Sequence, residues 1–255
     1  MEFTVLPVID AMIELYGKPR TVERFQEYLK KLLGETKGDL AFPISGFNPM
    51  AKEHILEHLK ELKKVGAEQI MEDSLVDINK KFNGQFSNRI FKVALNLSDD
   101  LKGGWTNRFT SDYDSKFKMN GLLSRDFCTL LFWTSEKILP QEISRRTQEY
   151  VFRTIYWLTS PKPVTLKEHV LQEIFVSRQT AFKIGEDSKD FSTMHNFYLQ
   201  HEDSADYSVI FNFFYGDKGS QSLGFPTFTI KSEMTGFEYA GGIAGSQKYQ
   251  SYTPR

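Results

Sequence analysis

The residues from Ile90 to Leu97 constrain the fold more than any other segment of this chain. Apolar residues stand there at every second position, namely Phe91, Val93, Leu95 and Leu97. A period of two is typical of a β-strand with one face in a core. The sequence therefore predicts a strand here, and such a strand is a rigid support for the residues that follow it.

The segment that follows this strand, residues 96–114, is crowded with polar and aromatic side chains around Gly103-Gly104. Binding residues gather on loops that rigid elements hold in place. We therefore predict a small-molecule site formed by Asn96, Asp99, Asp100, Lys102, Trp105, Asn107, Arg108, Asp112 and Tyr113. An ordinary solvated turn is the alternative, because Gly-Gly and Asp-Asp are common in turns.

Within this predicted site the residue types suggest separate roles. The carboxylates would supply hydrogen-bond acceptors or metal ligands, while Arg108 or Lys102 would hold an anionic group and Trp105 would close over the ligand. In an extended segment Asp112 and Asp114 would point to the same side and could act as a pair. No reaction follows from this pattern, and the sequence leaves open whether the protein is an enzyme.

Residues 54–58 read His-Ile-Leu-Glu-His inside a predicted helix. Two histidines four residues apart project from one helical face, as two zinc ligands require. The pattern resembles that of the inverzincin metallopeptidases, which implies His54 and His58 as ligands, Glu57 as general base and a downstream glutamate in the metal shell. Glu136 is a candidate for that ligand, and zinc or another divalent cation for the cofactor. The alternative is a pair of histidines at the boundary of a Lys- and Glu-rich helix.

The composition argues against several partners. The chain has 32 Lys plus Arg and 33 Asp plus Glu, a net charge of −1, so no basic field attracts nucleic acid or anionic lipid. No apolar run reaches the ~18–20 residues that cross a bilayer, and neither a P-loop nor a dinucleotide-binding glycine motif is present. The single cysteine, Cys128, cannot form an intrachain disulfide, which favours a reducing compartment and predicts a cytoplasmic protein.

The first two thirds of the sequence predict mainly helices. We expect helices that end at Gly17, that begin after Thr21, and that run from Asn48-Pro49 to Gly66, from Ala67 to Phe82 and from Ile143 to Leu158. Thr165 and Glu168 form a capping box that opens a further helix. The apolar run from Phe127 to Trp133 is either a strand or the start of a buried helix.

The C-terminal quarter has a different composition and predicts strands. Residues Tyr207–Tyr215 are aromatic and β-branched, residues 216–219 resemble a turn, and residues 225–230 and 237–243 are further β-prone segments. The predicted fold class is therefore α+β, with a helical N-terminal subregion, central strand(s), long helices and a β-hairpin-rich C-terminal region.

The predicted domain organisation is one globular domain over residues 1–244, with an elbow near residues 160–163 and a polar tail over residues 245–255. Aromatic residues make up 14% of the chain. Such rings fill thick cores, but they also line apolar pockets and anchor interfaces. This surplus leaves a second function open, a non-catalytic interaction or oligomerisation protein that docks through the aromatic C-terminal hairpin. A homo-oligomer is compatible with either function.

Overall fold

Three parallel strands carry the fold of the N-terminal unit, Met1–Val151. The computed structural model describes residues 1–34, 39–82, 84–85, 88–101, 107–180, 189–228 and 234–246. Strands β1 (Glu2–Val5), β2 (Ile90–Ser98) and β3 (Phe127–Trp133) form one sheet in the order β1-β2-β3. Both strand pairs are parallel, so the carboxyl ends of β2 and β3 lie at the same edge of the sheet.

β2 is the central strand, and its burial differs from the predicted alternation. Lys92 is exposed, but every residue from Val93 to Ser98 is buried. The central strand of a parallel sheet is covered on both faces, so its later residues leave water together. The predicted strand is confirmed, whereas the expectation of a single buried face is wrong.

The N-terminal unit also contains helices among its described residues. They are α1 (Ile9–Tyr16), α2 (Val22–Leu32), α3 (Glu53–Lys64), α4 (Ala67–Phe82), α5 (Arg108–Phe117) and α6 (Asn120–Leu123). α4 packs against β1, where Asn79 accepts a hydrogen bond from the Phe3 N–H at 2.9 Å and donates one to the Phe3 carbonyl at 2.8 Å. An amide side chain thus covers backbone groups of an outer strand.

Helix boundaries in this unit follow the sequence closely except at α3. The predicted limits of α4 are confirmed, and Gly17 follows α1 as expected. α3 begins at Glu53 and not at Asn48, because the Asn48 side chain accepts a hydrogen bond from the Met50 N–H at 3.0 Å and forms a local turn instead. β1 was not predicted, since four residues are too short a run to establish a period of two.

The C-terminal unit, Phe152–Arg255, is helical in its described residues. α7 (Pro140–Thr159) contains the division between the units, and it is followed by α8 (Leu166–Gln179), α9 (Lys189–His201), α10 (Tyr207–Gln221) and α11 (Gly236–Gly245). α11 packs against α8 and α9. The core of this unit is aromatic, and Phe211, Phe213, Phe214 and Tyr239 are almost fully buried in it.

The predicted hairpin-rich C-terminal region is wrong. Residues 207–221 form α10, whose first turn is capped by Asp206, an acceptor for the Ser208 N–H at 2.7 Å. Residues 216–219 do not form a hairpin turn, and Gly216 (φ 67°) instead bends this helix. β-propensity reflects how well a residue fits a half-buried surface, so it fails for residues 209–214, all of which are buried. The correct description is a mainly helical protein with one small parallel sheet.

α11 replaces the third predicted strand. Thr235 and Glu238 form a capping box in which the glutamate accepts from the Thr235 N–H at 2.7 Å and the Thr235 hydroxyl accepts from the Glu238 N–H at 3.3 Å. A Cβ at Gly236 would lie 2.7 Å from the Phe213 ring. Glycine therefore allows α11 to start directly against the rings of α10.

The boundary between the units, Val151/Phe152, falls inside α7 and not at residues 160–163, which connect α7 to α8. A single domain over residues 1–244 stays a prediction. The predicted tail lies outside the described residues from position 247 onward. Among the helices that the structure describes, none is both long enough and apolar enough to span a bilayer.

Candidate functional site

Polar residues follow β2 and β3 where these strands end at the common edge. The register pairs Ser98 with Trp133, and the Thr134 N–H donates to the Ser98 carbonyl at 3.0 Å. The next residues of the two strands, Asp99 and Thr134, therefore meet. We call this region, with the side chains that contact it, the edge site.

Asp99 is the buried carboxylate of the edge site. One of its oxygens, Oδ1, accepts from the Leu101 N–H at 3.0 Å and from the Thr134 hydroxyl at 2.9 Å. The same oxygen lies 3.0 Å from Nε2 of His54. The imidazole is not turned for a straight hydrogen bond, so this contact is an electrostatic one at short range.

Asp100 is the second carboxylate, and it is held by β3 and α5. Its Oδ1 accepts from the Ser135 N–H at 3.0 Å, and its Oδ2 accepts from the Ser135 hydroxyl at 2.7 Å and from Arg108 at 2.5 Å. Asn107 caps the helix that carries Arg108, since its side chain accepts from backbone N–H groups of the first turn. The Arg108 side chain is 41% exposed, whereas that of Asp100 is only 8% exposed, so the arginine side of this pair faces solvent.

Thr134 links the two adjacent aspartates. Its hydroxyl lies 2.9 Å from Asp99 Oδ1 and 3.2 Å from Asp100 Oδ1. A threonine hydroxyl has one proton, so it donates to one carboxylate at a time. Both side chains reach the same hydroxyl because β2 has ended at Ser98 and the alternation of a strand no longer applies to them.

Glu136 is occupied by two arginines. Arg146 donates to its two oxygens at 2.6 and 3.3 Å, and Arg108 lies 3.5 Å from it. Burial is the largest single influence on the pKa of Arg146 and lowers it, but the hydrogen bond to Glu136, together with the charge of Glu136 and smaller effects of Tyr150 and Asp112, gives a net rise in that pKa. Arg146 also donates to the Leu131 carbonyl at 2.9 Å, which ties α7 to β3 within the N-terminal unit.

His54 reaches Asp99 because the chain before α3 is tied to β2. Asn96 donates to the Pro43 carbonyl at 2.5 Å and Ser98 to the Gly46 carbonyl at 2.7 Å. A Cβ at Gly46 would lie 2.9 Å from the Asn96 side chain, so glycine permits this close approach. Residues 43–48 therefore cover the end of β2 and deliver the first turn of α3 to the edge site.

Nδ1 of His54 is buried and has no hydrogen-bond partner among the described residues. The histidine is 9% exposed and stands on the first turn of α3. An unmade hydrogen bond at a buried group costs about 1–3 kcal/mol, so native proteins keep such groups for a reason. This nitrogen is an unexplained polar atom of the edge site.

The structure brings together some predicted ligand-binding residues. Asn96, Asp99, Asp100, Asn107 and Arg108 are at the edge site or support it. Lys102 and Trp105 lie outside the described residues. The predicted loop is shorter than residues 96–114, because it begins after β2 and ends at α5.

Asp112 and Tyr113 belong to α5. Asp112 pairs with Lys116 one turn later, and the Tyr113 ring packs on Phe117 with 5.0 Å between centroids. The expectation that Asp112 and Asp114 point to one side is wrong, because residues two apart on a helix lie on different faces. A role for Asp112 and Tyr113 in ligand binding stays a prediction.

The proposed metal ligands are only partly brought together. His54 contacts Asp99, whereas His58 lies 3.7 Å from Glu61 and Glu57 is exposed. Glu136 already binds two arginines. Across the described part of the chain no three His, Cys, Asp or Glu side chains form a group that could hold a metal ion. These residues therefore do not fit the zinc site that the sequence motif implies.

Sequence reasoning missed Thr134, Ser135 and Arg146, and also Arg24 on α2. Thr134 and Ser135 follow the second apolar run directly. Once that run is taken as a strand parallel to β2, the rule that ligands bind beyond the carboxyl ends of parallel strands indicates them. No local signal marks the two arginines.

No protein-family model, no curated protein and no solved structure matches this chain.

Proposed function

We propose that the N-terminal unit binds a small polar molecule at the edge site, and that His54 exchanges a proton with it. The carboxyl edge of a parallel sheet is where α/β proteins bind their ligands. Around this edge lie carboxylates, hydroxyls and a half-exposed guanidinium, which are groups that orient polar ligands.

The single observation that carries the proposal is the arrangement of His54. Nε2 of the imidazole faces the buried Asp99 at 3.0 Å, and Nδ1 has no partner among the described residues. A carboxylate beside one ring nitrogen favours a proton on that nitrogen, which leaves the other nitrogen as the acceptor. His54 is thereby suited to act as a general base.

The proton balance is simple. A hydroxyl or N–H of the ligand gives its proton to Nδ1, and the ring then carries a proton on both nitrogens. The Asp99 carboxylate stabilises the positive charge so formed, and the ligand keeps the electron pair of the broken bond. Reversal of the step returns the proton.

Asp100, Ser135 and Arg108 would orient the ligand from the solvent side. Arg108 is held by Asp100 at 2.5 Å and by the Ser135 hydroxyl at 2.7 Å, so its guanidinium has a fixed direction. A guanidinium with a fixed direction donates hydrogen bonds to planar or anionic groups with little further loss of side-chain entropy.

A thermal-shift screen with small hydroxy acids, sugars, amino acids and nucleosides tests the proposal. We expect at least one class to raise the melting temperature of the wild type, and His54→Gln to weaken its binding about tenfold or more, because a hydrogen bond to a charged group is lost. His58→Gln, one turn later on α3, is the matched control and should bind as the wild type does. Equal binding by both variants would contradict the proposal.

A second measurement isolates the proton exchange. In protein labelled with ¹⁵N at histidine, the ring nitrogens of His54 should change from the neutral to the doubly protonated pattern when the ligand binds. The Asp99→Asn variant keeps acceptor atoms for Leu101 and Thr134 but loses the charge, so its His54 should stay neutral. A neutral His54 in the wild-type complex would leave binding intact as a function and remove the role of general base.

The metal-assisted hydrolase is not part of this proposal, since the described ligand set does not fit zinc. The docking hairpin is also withdrawn, because Phe211, Phe213 and Phe214 are buried in the C-terminal unit. A homo-oligomer stays a prediction that sizing chromatography can test. A cytoplasmic location is proposed on the single, buried Cys128, and cell fractionation tests it.

A further inference from the structure

Arg24 is a buried cation with no carboxylate partner among the described residues. It stands on α2 and is 5% exposed. Its guanidinium donates only to carbonyls, that of Lys18 at 3.3 Å and that of Ala51 at 3.4 Å, and it lies 4.5 Å from the centre of the Tyr16 ring. Its Nε is buried with no hydrogen-bond partner in the described part of the chain.

Arg153, which is buried, and Arg146, which is half-buried, show what is unusual about Arg24. Arg153 forms two hydrogen bonds with Glu173 at 2.8 and 2.6 Å, and Arg146 binds Glu136 at 2.6 Å. A buried charge without a countercharge is costly, and proteins retain one when something pairs with it. Two long hydrogen bonds and a ring face offset only part of that cost.

Arg24 points to the N-terminal end of α3. The carbonyl that it contacts belongs to Ala51, the residue before the N-cap Lys52, and Lys52 provides no side-chain acceptor for the first turn. The N–H groups of a helix start and the helix dipole favour an anion there. The first turn of a 12-residue helix therefore adds partial positive charge next to the guanidinium.

Further charges surround this end of α3. Arg20 is close enough to lower the pKa of Arg24, an effect second to burial among those that lower it. Lys52 is exposed at the N-cap. Glu53, also exposed, opposes them and raises the pKa of Arg24. Asp99, which contacts His54, is a second acid near this end. Arg20, Lys52 and Arg24 itself still outnumber Glu53 and Asp99, so the local field favours an anion.

We propose that Arg24 and the N-terminal end of α3 bind an oxyanion, the phosphate or carboxylate group of a small ligand. Nε and Nη of a guanidinium match two oxygens of either group. The proposal rests on the proposed function in one respect, namely that the oxyanion is part of the ligand with which His54 exchanges a proton. His54 is the second residue of α3, so both groups would act on one molecule.

Calorimetric titration with sodium phosphate and with sodium acetate, each against sodium chloride at equal ionic strength, tests this site. We expect one of the two oxyanions to bind the wild type more tightly than chloride, and Arg24→Gln to weaken it about tenfold or more. The preferred anion then identifies the ligand class as phosphorylated or carboxylic.

The control lies on the same helix. Lys60 is exposed on α3, two turns from its start, so Lys60→Gln should change the affinity by less than about twofold. Lys52→Gln, at the N-cap, should weaken the oxyanion about twofold to fivefold. Chloride binding as tightly as both oxyanions, or equal losses in Lys52→Gln and Lys60→Gln, would overturn the proposal.

Arg24 also supports its surroundings, so Arg24→Gln could unfold. Lys52→Asp provides the second variant, since aspartate is a favoured N-cap residue and sets a carboxylate at the helix start in competition with the anion. We expect it to abolish oxyanion binding, and unchanged binding would overturn the proposal. The two proposals fail separately, because phosphate or acetate titration of His54→Gln reports this site without any proton exchange.

Discussion

Two helix starts in this protein have opposite chemistry. At the start of α8, in the C-terminal unit, Thr165 accepts from the Glu168 N–H at 3.3 Å and Glu168 accepts from the Thr165 N–H at 2.9 Å. The ring of His169 donates from Nδ1 to the Thr165 carbonyl at 2.8 Å. The polar groups of this helix start are therefore bonded to one another.

The start of α3, in the N-terminal unit, has none of these bonds to the residues that the structure describes. Lys52 takes the N-cap position without a side-chain acceptor, Nδ1 of His54 has no partner in the described residues, and Arg24 beside it has no carboxylate. Polar groups that are hydrogen-bonded to one another stabilise a fold, whereas buried polar groups without a partner can bond to a ligand. The comparison shows why α3, and not α8, is the place to look for function.

The largest expected effect comes from breaking a buried ion pair between α7 and α8 in the C-terminal unit. Glu173 pairs with Arg153, and both side chains are 3% exposed. Glu173→Gln would leave a buried guanidinium without its countercharge, so we expect a loss of about 3–5 kcal/mol in the free energy of unfolding. Urea denaturation measures it.

The matched control for this variant removes both charges. Arg153→Met combined with Glu173→Leu should cost clearly less than Glu173→Gln, because no unpaired charge remains. A loss below about 1 kcal/mol in the single variant would break the comparison, since polar groups in the C-terminal unit would then contribute little to its stability.

Substitutions at the two N-cap positions should change the free energy of unfolding by smaller amounts and in opposite directions. Thr165→Ala removes a bonded cap and should cost about 1 kcal/mol, whereas Lys52→Ser supplies the missing acceptor at α3 and should add about 0.5–1 kcal/mol. Lys52 has the extended backbone of an N-cap (φ −80°, ψ 179°), so serine fits without strain. Chemical denaturation of both variants is the measurement, and a loss of stability in Lys52→Ser would mean that the α3 start is already closed.

The smallest effect concerns the pH dependence of stability. Burial holds the pKa of His169 below its usual value of 6.5, although its bond to Thr165 and the charges of Glu173 and Glu168 oppose this. The unfolded chain therefore binds the proton first, and stability should fall as the pH falls through 6.5 toward the lower pKa of the folded state. His169→Asn keeps a donor for the Thr165 carbonyl but cannot titrate, so its stability should fall less between pH 7 and pH 5. Identical pH profiles for the two proteins would show that His169 does not cause this loss of stability.

Local sequence signals predicted several elements of the fold. The limits of α4, the strand β2 and the capping box of α8 are all confirmed. The same kind of signal, Thr235 followed by Glu238, was available for α11, but the aromatic residues around it indicated a strand. Propensity failed there because α10 and α11 are buried in their own unit, where packing decides the conformation.

The candidate site was predictable only in part. Asp99, Asp100 and Arg108 could be selected because they follow an evident strand. His54 was selected for a different reason, a metal motif that the geometry does not support. Its contact with Asp99 joins residues that are 45 positions apart, and no local pattern encodes such a distance.

The sequence by itself determined the local elements of this protein, because the apolar period and the capping residues act within a few positions of one another. Only the tertiary structure decided that β3 lies parallel to β2, that residues 43–48 cover the end of β2, and that Arg24 meets no carboxylate among the described residues. These facts depend on which distant groups meet after the core is packed. Whether a buried charge or ring nitrogen lacks a partner depends on which neighbours surround it in the folded chain.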